Sequence, residues 1–313
     1  MKRTGVRVLT HMPPERLDRV REAVPEVELV GVPAQGDIDD GIEGEVLLTL
    51  PWGTPNLATV VERGVRWVHA IGTGVDGFPF ATLAGRTLTC SRGASAVPIS
   101  EWVLAMMLAF EKRVPETWIT EPPPAWNFAE LGTLWRRTLG LVGIGSIGAA
   151  VAERAIPFGM RVCAVRRTGK PAPLPGVEIL PSLDDVLASA DHLLIALPAT
   201  PRTRRLIGAD ALAVVKPGVH LVNIARGSIV DQDALRVALD DGRVARASLD
   251  TVEPEPLPPG HWLFQHPRVR LSPHVSWGMP GAFDLFIEAF VANLRRYLDG
   301  EPLHGLVDLA EGY

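Results

Sequence analysis

Three ionisable residues in the second half of the chain each follow a short apolar run, and their types fit one reaction. Arg226 comes after residues 220–223, in Ala225-Arg226-Gly227-Ser228. Glu253 and Glu255 come after residues 244–250, in Asp250-Thr251-Val252-Glu253-Pro254-Glu255-Pro256, and His274 comes after residues 269–271, in Ser272-Pro273-His274-Val275. Runs of this length read as strands, so the three loops should converge at the carboxyl edge of a sheet, where open α/β folds place ligands. An arginine fork grips a carboxylate and polarises a neighbouring keto oxygen. An imidazole gives and takes a proton near neutrality, and a carboxylate paired with it favours its protonated form. That set suits hydride transfer between a 2-keto acid and a 2-hydroxy acid. Singly, Arg226 also reads as a capping or salt-bridging arginine and His274 as a satisfied core histidine, while Glu253 competes with Glu255 for the imidazole. The set, rather than any member, is the signal.

A hydride needs a carrier, and residues 139–168 read without a gap as strand, glycine loop, helix, strand. Leu139, Leu141 and Val142 lead into Gly143-Ile144-Gly145-Ser146-Ile147-Gly148, a helical stretch runs to 158, and 161–165 is the second strand. Gly143 permits the tight turn, Gly145 lets backbone approach a pyrophosphate, and Gly148 allows close helix packing. The amides of Ser146 and Ile147 at the helix start face the phosphates. A dinucleotide is therefore expected. NAD-binding chains end the second strand with an acidic residue for the ribose hydroxyl, whereas this one has Arg166, Arg167 and Thr168. An arginine fork and a hydroxyl bind a 2′-phosphate, which points to NADP, with NAD the other possibility.

The 313 residues carry a formal net charge of -5 and a pI near 5.9. Two domains fit that length, and the charge argues against nucleic acid or a membrane surface as partner. Only Cys90 and Cys163 are present, at no metal or redox spacing; no metal is expected and a reducing cytoplasm fits best. No run approaches the ~20 apolar residues of a membrane span.

Elements must position these loops. Strands are expected over 6–10, 27–30, 46–50 and 67–71, with helices over 14–23 and 56–63, an alternation that implies a parallel sheet. The fourth strand empties into Gly72-Thr73-Gly74-Val75-Asp76-Gly77, whose amides can hold a carboxylate. A long apolar helix over 98–112 follows, with Ser100 as its cap, and Trp118, Trp126 and Trp135 nearby suggest a subunit contact. Strands at 177–180, 191–197, 220–223, 244–250 and 269–271 make a doubly wound sheet of six or seven with those beside the glycine loop. Helices lie over 182–188, 209–215 and 231–240, and a long amphipathic one over 282–298 returns to the first domain.

Taken together, Gly72 to Asp76, the helix with Glu101, Thr138 to Gly148, Leu197-Pro198-Ala199-Thr200-Pro201, Val222 to Gly227, Leu249-Asp250 with Glu255-Pro256, and Pro273-His274 resemble the D-isomer-specific 2-hydroxyacid dehydrogenases. The resemblance covers nearly the whole chain. It implies a Rossmann cofactor domain (99–282) inserted in a flavodoxin-like substrate domain (1–98 and 283–313), both doubly wound parallel α/β sheets. It implies Arg226 as substrate arginine, His274 as acid-base residue, and Glu255 rather than Glu253 as its partner. It further implies cofactor contacts at Leu197, Pro198, Thr203, Ile224, Ala225, Asp250 and His274, substrate-carboxylate contacts at Thr73, Gly74 and Val75, and a homodimer through the cofactor domains. Arg166, 23 residues after Gly143, departs from the acidic residue of many relatives. Trp277 stands where a small residue is usual, and with Trp52 it is expected to shape the pocket.

The expected function is NADP-dependent interconversion of a small 2-keto acid, of glyoxylate or hydroxypyruvate type, and its D-2-hydroxy acid. A 3-phosphoglycerate-type dehydrogenase is an alternative, weakened by few basic residues in the first-domain loops and by no regulatory domain after Tyr313. A nucleotide-sensing binding protein or corepressor is another, opposed by the intact Arg226, Glu255 and His274.

Overall fold

The computed structural model describes residues 3–83, 85–127, 129–167 and 169–313 and divides into two units, Met1–Ser95 with Met279–Tyr313, and Ala96–Gly278. In the first, β1 (Arg7–Thr10), β2 (Glu28–Gly31), β3 (Val46–Thr49), β4 (Trp67–Ala70) and β5 (Thr87–Cys90) form one parallel sheet in the order β2-β1-β3-β4-β5. Successive side chains of a strand point to opposite faces, and here both faces are buried. Val8, Val46 and Leu48 pack with Phe286, Phe290 and Leu294 of the carboxy-terminal helix, Ala282–Asp299. Leu9, Leu47 and Val68 pack on the other side with Leu57, Val60 and Val61 of helix α2 (Leu57–Val61). This double burial explains why the strands read as continuous apolar runs.

The fifth strand was not expected from the sequence. Thr87-Leu88-Thr89-Cys90 mixes threonine with apolar residues over four positions, and its place is fixed by pairing with β4. The stretch 14–23 is not one helix: a 3₁₀ turn, Pro14–Arg16, precedes α1 (Asp18–Ala23).

In the second unit α3 spans Ala96–Glu111, so Ser100 lies inside the helix, its Oγ donating to Val97 O at 2.6 Å, and is no cap. Pro98 is tolerated because amides of a first turn need no helical acceptor. Then come β6 (Thr138–Val142), α4 (Ser146–Ala155), β7 (Arg161–Val165), β8 (Val177–Ile179), α5 (Leu183–Ser189), β9 (His192–Ile195), α6 (Ala209–Val214), β10 (Val219–Asn223), α7 (Gln232–Asp240), β11 (Val244–Leu249) and β12 (Val269–Leu271). Ser182 caps α5 in a capping box with Asp185. The seven strands are parallel, in the order β12-β11-β10-β9-β6-β7-β8. The order reverses at β6, so the loop after it lies at the switch point of a doubly wound sheet. Among the described residues, no helix is long and apolar enough to cross a membrane.

The cores also hold histidines. His69 is fully buried, Nδ1 2.7 Å from Thr89 Oγ1 and Nε2 3.1 Å from Ser91 Oγ. Burial pushes its pKa down to about 3 and that of His11 down to about 4. The unfolded chain binds these protons near pH ~6.5, so the stability from each neutral ring is fully present above that pH and lost as pH falls toward the folded value. We expect His69→Gln to flatten the slope of unfolding free energy between about pH 6 and pH 4 by roughly 1.4 kcal/mol per pH unit. Urea titrations across that range measure it, and an unaltered slope removes His69 from the account.

Candidate active site

The glycine loop joins β6 to α4, and each glycine meets a different constraint. Gly143 has φ +95° and a side chain there would strike Ala196 O at 2.7 Å, while at Gly148 it would strike Gly143 O at 2.8 Å. At Gly145 it would meet nothing within 4 Å. The first and last glycines are therefore required by the protein's own packing, and the middle one faces space that a ligand's backbone-hugging phosphate can use. Gly145 is also the residue before α4, whose first turn carries no side-chain cap, and the exposed Ser146 and half-buried Ile147 begin that helix. An uncapped helix start behind an open glycine fits an anionic pyrophosphate.

Arg166 stands at the end of β7, half-buried, its Nη1 donating to Lys170 O and Pro171 O at 3.3 and 2.5 Å. The loop carbonyls fix where the guanidinium sits. Arg167 is exposed, and Thr168 lies outside the described residues. After β9, Leu197 is half-buried and Pro198 exposed; Thr203 folds back on the loop, its Oγ1 donating to Pro198 O at 2.8 Å and accepting from Thr200 N at 2.8 Å. Ile224 and Ala225, after β10, are buried.

The three ionisable residues lie on loops that leave the carboxyl ends of β10, β11 and β12. Asn223 shapes the first loop by accepting from Ala225 N and donating to Arg226 O, both at 3.0 Å. Arg226 is half-buried there, with Nη1 donating to Ala225 O at 2.8 Å. Of the two glutamates, Glu255 reaches His274: Oε2 lies 2.9 Å from Nδ1, while Oε1 accepts from Val252 N at 3.0 Å. Glu253 instead pairs with Arg204 at 3.0 and 3.3 Å.

His274 is held in the left-handed region, φ +55°, where a residue with a Cβ is strained. What holds it is Asp250, a role sequence reasoning missed. Asp250 is buried; its carbonyl accepts from His274 N at 2.9 Å, its Oδ1 from Ser272 Oγ and Val275 N, and its Oδ2 from Ser276 N at 3.0 Å. A carboxylate this buried is stable only when donors replace water, and three do. Trp277 also ties the turn: its indole Nε1 donates to His274 O at 3.0 Å, and the residue is 40% exposed. Thr251 Oγ1, next in sequence to Asp250, is buried with no hydrogen-bond partner among the described residues.

In the first unit, Thr73, Gly74 and Val75 follow β4 on the turn after Gly72, with Val75 buried and Thr73 Oγ1 3.0 Å from Ser95 Oγ. Trp52 follows β3 and is exposed.

A family model described as D-isomer specific 2-hydroxyacid dehydrogenase, NAD binding domain, matches residues 104–276. D-3-phosphoglycerate dehydrogenase of Mycobacterium tuberculosis is 33% identical over 305 residues, 96% of this chain and 54% of that protein. The chain thus spans about half the length of such relatives. Glyoxylate reductase of Thermococcus onnurineus is 33% identical over 312 residues, 97% of this chain and 83% of that one. Among solved structures, an NADPH-dependent glyoxylate/hydroxypyruvate reductase of Sinorhizobium meliloti, in complex with NADP and sulfate, superposes with a TM-score of 0.81 at 26% identity, covering 99% of this chain and 100% of that one.

The donor count at Asp250 is testable without any ligand. Asparagine keeps the shape but offers one acceptor oxygen where three donors point, leaving an N–H facing an N–H. Asp250→Asn is expected to lower the unfolding free energy by about 2 kcal/mol and to speed hydrogen exchange at the Val275 and Ser276 amides at least roughly tenfold. Unchanged exchange at both would show that the loop holds itself.

Proposed function

The chain belongs to the D-isomer-specific 2-hydroxyacid dehydrogenase family, and from that premise we propose that it interconverts a small 2-keto acid and its D-2-hydroxy acid using NADP(H). The observation that carries this reading is the 2.9 Å contact between Glu255 Oε2 and His274 Nδ1 on loops neighbouring that of Arg226. With Nδ1 turned to the carboxylate, Nε2 is the ring nitrogen left for a substrate. During reduction it gives a proton to the keto oxygen, which becomes the hydroxyl, and Glu255 stabilises the imidazolium before that transfer. Arg226 binds the substrate carboxylate and draws electron density from the keto oxygen. A reduced nicotinamide, when bound, supplies the hydride to the keto carbon. Asp250 and Trp277 keep His274 in position. In the first unit, the amides of Thr73, Gly74 and Val75 after β4 are proposed to hold a carboxylate, with Trp52, after the neighbouring strand β3, shaping the pocket.

For the cofactor, Gly143 to Gly148 take the pyrophosphate, Leu197, Pro198, Thr203, Ile224 and Ala225 line the edge toward the nicotinamide, and Arg166 and Arg167 take the 2′-phosphate. Support for NADP is the cation at the end of β7, pinned by two loop carbonyls, together with the NADP held by the Sinorhizobium meliloti relative. Support for glyoxylate or hydroxypyruvate as substrate is the naming of that relative and of the Thermococcus onnurineus protein. A 3-phospho-substituted keto acid is the second reading, favoured by the Mycobacterium tuberculosis relative. A homodimer through the second unit is proposed from Trp118, Trp126 and Trp135, which expose 72%, 69% and 56% of their surface. The two buried free thiols, Cys90 and Cys163, are compatible with a reducing cytoplasm.

Steady-state kinetics on glyoxylate, hydroxypyruvate and 3-phosphohydroxypyruvate, each with NADPH and NADH, tests the whole reading. We expect kcat/KM to favour NADPH, and Arg166→Asp to reduce that ratio about 100-fold, the loss of charge-assisted hydrogen bonds worth roughly 3 kcal/mol. A wild-type preference for NADH removes the cofactor assignment, and turnover of the phosphorylated acid alone selects the second substrate reading. Trp277→Ala is expected to broaden the keto acids accepted; an identical substrate profile would separate Trp277 from specificity.

A further inference from the structure

We propose that Gln232 is a positioning residue for proton transfer: its side-chain amide holds the backbone of Glu253 and, through it, sets the Glu255 carboxylate against His274. The inference rests on the reading of Glu255 and His274 as the acid-base pair.

Gln232 is the first residue of α7. Its Nε2 donates to Glu253 O at 2.6 Å and its Oε1 accepts from Glu253 N at 3.1 Å. One side chain thereby satisfies both backbone groups of a single residue, as a neighbouring strand would. Glutamine and asparagine are the residues that carry a donor and an acceptor on one planar end. Glutamate accepts but cannot donate, and lysine the reverse.

The clamp is mounted on a rigid element. Asp231 caps α7 by accepting from Asp233 N and Ala234 N, both at 3.1 Å, and its own amide donates to Ile207 O at 3.0 Å. On the other side the loop has no room to retreat. A Cβ built on Gly227 would fall 1.9 Å from Val252 C and 2.4 Å from Glu253 N, so the loop backbone lies directly on the backbone that follows Arg226. Gly227 lies against Val252 and Glu253, and Gln232 holds Glu253. The Arg204–Glu253 ion pair also holds this segment, but it sits in solvent, with side chains 55% and 43% exposed, where such pairs contribute little.

From Glu253 the geometry passes to Glu255 over two residues. Its Oε1 is fixed by Val252 N, the neighbour of the clamped residue, which leaves Oε2 aimed at the imidazole. Release of Glu253 therefore loosens the backbone between Val252, whose N–H orients the carboxylate, and Glu255, which bears it. The charged groups on the neighbouring loops of this unit are Glu255 at Nδ1, Asp250 whose carbonyl accepts the His274 amide, Glu253 paired with Arg204, and Arg226 after β10. Gln232 itself is neutral, so a change in the pH profile on its replacement reports position, not charge.

The experiment measures kcat/KM for keto-acid reduction against pH for the wild type, Gln232→Met and Glu255→Gln, with melting temperatures alongside. Methionine keeps the length and packing of glutamine and removes both hydrogen bonds. The expected result for Gln232→Met is a profile whose falling limb moves to lower pH, in the direction given by Glu255→Gln and by a smaller amount. A loss of about tenfold in kcat should accompany it, in keeping with slight misplacement of a catalytic group. A Gln232→Met profile that coincides with wild type while Glu255→Gln moves the limb overturns the proposal. A limb unmoved by Glu255→Gln overturns the acid-base reading and the proposal with it. Should Gln232→Met fail to fold, Gln232→Asn, which is neutral and one methylene shorter, replaces it under the same criteria.

Discussion

The buried carboxylate of Asp250 is the interaction on which the catalytic edge depends. Parallel pairing sets Leu249 opposite Leu271, so the next residue of each strand, Asp250 and Ser272, leaves the sheet side by side. Everything that follows on the β12 side is then tied to one side chain: a serine hydroxyl and two amides converge on it, and the histidine between them is bent into a conformation it would not choose alone. A slip of one residue between β11 and β12 would turn Asp250 to the other face, and the strained turn would lose its support. The register of two short strands is in this sense a catalytic parameter.

The same economy runs through the unit. Strands buried on both faces leave only their ends free for polar chemistry, and from β6 on every end but that of the edge strand β8 carries something: the glycine loop, Arg166 after β7, the proline turn after β9, Arg226, Asp250 with Glu255, and His274. Side chains that hold these ends come from the chain just behind or beside them. Asn223 folds the Arg226 loop, Thr203 the proline turn, and Glu255 accepts from the Val252 amide three residues back as it reaches the imidazole.

The alternation of strands and helices, the seven-stranded sheet and the glycine loop were legible in the sequence because each is written in local periodicity or in glycine spacing. Arg226, Glu255 and His274 were also named from the sequence: residue types alone left Glu253 in contention, the family resemblance favoured Glu255, and in the structure it is Glu255 that meets His274 while Glu253 pairs with Arg204. β5 escaped because Thr87 and Thr89 alternate with Leu88 and Cys90, a pattern too short and too polar to stand out from a turn. α3 begins at Ala96, two residues before the expected start at 98, because a proline in the first turn does not end a helix. Asp250 as the anchor of the His274 turn lay beyond sequence reading for a different reason: its partners are 22 to 26 residues away, and no period connects them.

The first unit is assembled from the two ends of the chain. Trp67 packs its ring against Phe290 and Tyr297, with centroids 5.6 and 5.2 Å apart, yet residues 96–278 lie between them in sequence. On the ribosome, where chains emerge from the amino terminus, strands β1 to β5 are made first and must wait with one apolar face uncovered until the last helix appears, while the inserted unit has all of its own core at hand. Order of synthesis and order of completion are thus reversed. The earliest-made part of this protein is the one that depends most on the chain being finished, and a nascent chain stalled before residue 282 would hold a complete nucleotide-type sheet beside a half-covered one.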